Sequence, residues 1–86
     1  MTKNAFMPNA GDSIIVRLKI DGNIQALAQL TGKITELNGR IGAIDLVRPL
    51  SNGGSIRDLI VYTSGSSHAE DIVEALKTVD GVELIH

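Results

Sequence analysis

The chain contains no cysteine and no tryptophan, and its 86 residues include one phenylalanine, one tyrosine and two prolines. Without cysteine, disulfide scaffolds, thiolate metal centres, thiol catalysis and Cys-based metal chaperones are all excluded. With so few rings the core has to be aliphatic, built from Ile, Leu, Val and Ala. The same scarcity argues against a nucleic-acid partner, because single strands are held largely by stacking bases on aromatic side chains. A net charge of −2 likewise lacks the basic footprint that phosphate backbones require. No apolar run approaches the roughly 20 residues of a membrane span. The N-terminus shows no basic-then-apolar signal pattern. A soluble, cytoplasmic protein with no membrane partner is expected.

What the chain does have is aliphatic patterning, with 43% hydrophobic residues in a length that suits one domain and not two. A chain of this size buries only about 60–65% of its unfolded surface, so self-association would supplement its core. Met1–Asp12 is aperiodic and carries Pro8, Asn9 and Gly11, which marks it as a tail or linker preceding a domain over 13–86. Ser13–Ile20 alternates Ile14, Val16, Leu18 and Ile20 with Ile15, Arg17 and Lys19, the period of a half-buried strand. After a turn at Asp21-Gly22-Asn23, Ile24–Asn38 spaces Ile24, Leu27, Leu30, Ile34 and Leu37 as one helix face. Asn23 is the expected N-cap, Gly39 the expected left-handed closing residue, and Gly32 a point of close approach to the sheet.

Ile41–Leu50 and Ser55–Thr63 read as a hairpin about Ser51-Asn52-Gly53-Gly54, with Gly42 suggesting a bulge and Pro49 an edge or strand end. Ser67-His68-Ala69-Glu70 has capping-box spacing before a second helix burying Ala69, Ile72, Val73, Leu76 and Val79. Val82–His86 is a last short strand. This order predicts an α+β, ferredoxin-like βαββαβ sandwich: a four-stranded antiparallel sheet with two helices on one face.

Little in the chain can carry catalysis. His68 and His86 are the only histidines and read as surface residues. There is no nucleophile elbow, no metal-ligand spacing and no phosphate loop, so neither cofactor nor metal is expected. Asp45, Arg48, Arg57 and Asp58 lie on paired strands, where they are expected to form structural ion pairs across the hairpin. An uncovered sheet face carrying Ile15, Ala43, Val47, Leu59 and Val61 instead points to a partner or a second copy. The edge strand Ile41–Leu50 could pair across a two-fold axis.

Several stretches carry a resemblance: Ile41-Gly42-Ala43-Ile44-Asp45, Val47, Ile56-Arg57-Asp58-Leu59, His68-Ala69-Glu70, Ile72-Val73-Glu74-Ala75 and Gly81-Val82. Over Ser13 to His86 the chain resembles an ACT domain, in particular the one that opens bacterial NAD-dependent malic enzymes (malate oxidoreductases). The resemblance implies a non-catalytic regulatory domain, attached to or associated with a catalytic domain. It implies a homodimer or higher homo-oligomer that senses an amino acid or other small metabolite at the dimer interface. The implied ligand-binding residues are Asp21, Gly22, Asn23, Ile24, Gln25, Gly42 and Ala43; the implied interface residues are Ile41, Ala43, Asp45 and Val47. Ile24 and Gln25 stand where most ACT domains carry a proline–glycine pair. The alternative is a structural dimerisation or protein-interaction module with no small-molecule ligand.

Overall fold

A computed structural model describes residues 12–86; the expected tail, save Asp12, lies outside them. The elements are β1 (Ser13–Ile20), α1 (Ile24–Glu36), β2 (Arg40–Pro49), β3 (Ser55–Tyr62), α2 (Ser66–Leu76) and β4 (Val82–Leu84). The strands form one antiparallel sheet in the order β2-β3-β1-β4. This is the expected ferredoxin-like α+β arrangement. Both helices pack on the same face, because their buried residues share one core cluster with β1 and β3. Among the described residues no helix is long and apolar enough to cross a membrane.

The core is aliphatic throughout. Leu18, Leu30, Ile34, Leu59, Val61, Ile72 and Leu76 are each 0% exposed. In β1 the alternation of Val16, Leu18 and Ile20 with Ile15, Arg17 and Lys19 separates buried from open positions as expected. In β3 it corrects the expectation: Leu59 and Val61 lie on the covered face, opposite Val16 and Ile14 of β1. The open face of β3 therefore carries Ile56, Asp58, Ile60 and Tyr62.

In β2 the pairing slips by one residue at Gly42 and again at Val47. The first bulge, expected from Gly42, brings Ile41 onto the same face as Ile44, and both pack against the core. The second turns Val47 out of the pairing, so Asp45 and Arg48 stand on one face although three residues apart.

Asn23 caps α1 as expected, its Oδ1 accepting from the Gln25 N–H at 2.9 Å. Ile24, expected on the buried helix face, is 82% exposed, and Ala26 is buried in its place. At the C-terminus Asn38, not Gly39, adopts the left-handed conformation, with φ 66. The Asn38 N–H donates to the Thr35 carbonyl and the Gly39 N–H to the Ile34 carbonyl, the two bonds of a Schellman closure. Gly39 is needed for space: a Cβ there would stand 2.9 Å from Ile34 Cγ2 and from Ile72 Cδ1. Gly32 shows the reverse, since a Cβ there would meet nothing within 4 Å. The expected close approach to the sheet is absent at that position.

The capping box at Ser67 does not form. The helix begins at Ser66, and its N-cap is Gly65, at φ 149, with no side-chain cap bond. Ser67 therefore sits inside the first turn.

Two glycine substitutions are predicted to move stability in opposite directions. Gly32→Ala should stabilise by about 1 kcal/mol, and Gly39→Ala should destabilise by about 1–3 kcal/mol through crowding of the core. Urea denaturation of the two variants beside the wild type reads both.

Candidate functional site

The implied ligand residues divide between two ends of the molecule. Asp21 to Asn23 form the β1–α1 loop, wedged between the hairpin turn and the turn preceding β4, and Ile24 and Gln25 open α1. The Asp21 N–H donates to the Gly81 carbonyl at 2.8 Å. Gly22 abuts the hairpin turn so closely that a Cβ would stand 2.7 Å from the Gly53 carbonyl oxygen. Ile24 and Gln25 are both exposed. On one side of the loop is a cleft of about 250 Å³ bordered by Ile24, Leu27, Gly53, Ser55 and Arg57. On the other is a polar cleft of about 220 Å³ bordered by Gln25, Gln29, Asp80 and Gly81.

Gly42 and Ala43 are elsewhere. Ala43 pairs with Ile60, which pairs with Ile15, whereas the loop follows Ile20. Five residues of β1 separate them, roughly 17 Å. Gly42 faces the Tyr62 ring, where a Cβ would lie 2.7 Å from Tyr62 Cε2. One chain therefore does not gather these seven residues into a single site.

The open sheet face has an apolar row, Ala43–Ile60–Ile15, with Ile15 66% exposed. Beside it runs a charged row, Asp45–Asp58–Arg17. The expectation that these charges pair across the hairpin is corrected. Asp45 and Asp58 are directly opposite, and Asp58 turns to β1, where Arg17 Nε and Nη2 donate to its two oxygens at 2.8 and 3.0 Å. The hydrogen bond from Arg17 holds the Asp58 carboxyl below its ordinary value, with desolvation opposing and the Arg17 charge assisting. The same bond raises the Arg17 guanidinium. Asp45, on the edge strand, has no cationic partner among the described residues.

Of the implied interface residues, Ile41 faces the core, Ala43 and Asp45 the open face, and Val47 protrudes at its bulge, 40% exposed. Its neighbour Leu46 is 54% exposed on the helix side.

His68, expected on the surface, is half-buried and bridges two elements. Its Nδ1 accepts from the Ser64 backbone N–H at 2.9 Å, while Nε2 lies 2.6 Å from the Leu37 carbonyl, to which it donates. That pattern uses the neutral Nε2–H tautomer to fasten the end of α1 to the start of α2, a structural task. No group of three His, Asp or Glu residues able to hold a metal comes together among the described residues.

Sequence reasoning missed Arg57 as a cleft residue. Nothing local marked it, because β3 is apolar on both parities. Comparison with protein-family models finds no match, and comparison with curated proteins finds none either.

The Arg17–Asp58 pair is predicted to make stability depend on acid. A carboxyl depressed on folding contributes stability that is present above its unfolded value, about 3.9, and is lost as pH falls through the lower folded value. Asp58→Asn should therefore be less stable than wild type near neutrality, with the gap closing below about pH 4. Urea melts of both proteins from neutral to acidic pH measure it.

Proposed function

We propose that this chain is a non-catalytic regulatory and oligomerisation domain of ACT type. In this reading it pairs with a second copy through β2 and serves an attached or associated enzyme of the NAD-dependent malic-enzyme kind. The observation that carries the reading is the edge strand β2, with Leu46 and Val47 exposed and Asp45 and Arg48 on one face either side of a bulge. An exposed apolar edge is a pairing template unless something covers it. Antiparallel pairing about a two-fold axis between Leu46 and Val47 sets Asp45 opposite Arg48 of the second copy, and the reverse. It also carries the second copy's Gly42 and Ala43 toward the hairpin-turn end, where the Asp21–Asn23 loop and the start of α1 lie. An amino acid or other small metabolite bound between them would favour one arrangement of the pair and so bias the enzyme joined to it.

A second reading, a structural pairing module without a small ligand, draws on the Tyr62 ring over Gly42 and on Gln25, an exposed side chain at the start of α1 where most ACT domains carry glycine. Calorimetry against the amino acids and central-carbon acids separates the two. Heat and a raised Tm with one compound support the sensor; flat responses throughout leave the pairing module.

The pairing itself is read by sedimentation velocity. The wild type is expected to dimerise with rising concentration, and Asp45→Arg, which sets like charges opposite Arg48 of the second copy, to shift toward monomer. A wild type that stays monomeric at high concentration would sink the pairing.

A further inference from the structure

Arg57 lies on the helix-covered side of the sheet, at its hairpin-turn end. It shares the covered face of β3 with Leu59 and Val61, both 0% exposed, and its cross-strand neighbours are Leu18 and Leu46. No carboxylate answers it among the described residues. Asp58, the next residue, is on the opposite face and engaged by Arg17. Asp21 borders the same cleft but is turned away, since a Cβ on Gly81 would lie 3.2 Å from Asp21 Oδ2. Among the described residues the Arg57 guanidinium makes one hydrogen bond, Nε to Ser55 Oγ at 3.1 Å, which orients the plane and leaves the Nη donors without an acceptor there.

Arg57 borders the cleft of about 250 Å³, whose walls also include Asp21, Gly22, Ile24, Leu27 and Gly53. The volume lies below the range of drug-sized pockets, so it suits a ligand of few heavy atoms. A guanidinium fork matches a carboxylate through paired N–H donors. Ile24, 82% exposed, and Leu27 offer aliphatic surface beside it.

We propose that the Arg57 cleft binds a small aliphatic carboxylate, with the Nη donors on the carboxylate and the Ile24 and Leu27 side chains over the alkyl chain. This gives a ligand class to the loop of the interface reading, on which it rests for a role in sensing, but the cleft is complete within one chain.

The test is an amide-resonance titration of the full chain with sodium isovalerate, with inorganic phosphate and isoamylamine run in parallel. Isovalerate is expected to shift the Gly22, Gly53 and Ser55 amides saturably, with a Kd of about 1 mM, and to raise Tm; the other two should not. Arg57→Met, which offers the leucine-flanked site an apolar side chain, should weaken binding at least about 10-fold while the unliganded Tm stays at or above that of the wild type. Ile24→Glu, at an exposed position, should also weaken isovalerate binding, and it serves if Arg57→Met fails to fold. Absence of a saturable isovalerate shift in the wild type overturns the proposal, as does unchanged affinity in either folded variant, or phosphate binding in its place. Isovalerate binding by a chain that sediments as a monomer would support the cleft while removing the pairing.

Discussion

Burial of aliphatic side chains between two helices and one face of the sheet is the constraint from which the remaining features follow. Leu30 and Ile34 of α1, Ile72 and Leu76 of α2, Leu18 of β1 and Leu59 and Val61 of β3 exclude solvent completely without an aromatic ring among them. Close packing of branched aliphatics leaves little free volume, so each side chain is held by its neighbours. Gly39 shows how tight the fit is, because the turn after α1 passes between Ile34 and Ile72 with no room for a Cβ. His68 secures the same corner by hydrogen bonds to Ser64 and Leu37. The end of α1 is thus fixed by packing and polar contact together.

Covering one face leaves the other face and two sheet edges to be managed. On the open face the Arg17–Asp58 pair spans β1 and β3, the two central strands, beside the apolar row of Ile15, Ile60 and Ala43. β2 bears the larger burden, as an edge strand joined to the sheet through β3 alone. Its bulges at Gly42 and Val47 interrupt the pairing, bend the strand, and bring residues of opposite parity onto one face. Flat apolar edges invite indiscriminate pairing, and a bulge flanked by opposite charges restricts which strand can dock and in which register. The proposed pairing of two copies uses that restriction.

The region around the β1–α1 loop concentrates what is least explained by stability. Ile24 is almost fully exposed at the start of a helix, and Arg57 is charged on the covered face of the sheet. Both face one small cleft, and together they motivate a ligand reading there more directly than Gly42 and Ala43, which sit at the far end of β2.

Local patterning determined much of this protein. The alternation in β1, the Asn23 cap, the helix periodicity and the turn residues at 51–54 each act over a few neighbours, so they were legible in the residues themselves and the ferredoxin-like topology followed. The bulge at Gly42 was legible too, because glycine interrupting a strand has few other uses. Only the tertiary structure decided the face of each residue in β3 and the partner of Asp58. Both depend on register between strands far apart in sequence, and β3, apolar on both parities, carries no local signal of which side is covered. The second bulge at Val47, the left-handed Asn38 in place of Gly39 and the bridging role of His68 were likewise set by contacts across the fold. So was the cleft around Arg57, which exists because the loop after β1 and the hairpin turn meet at Gly22 and Gly53.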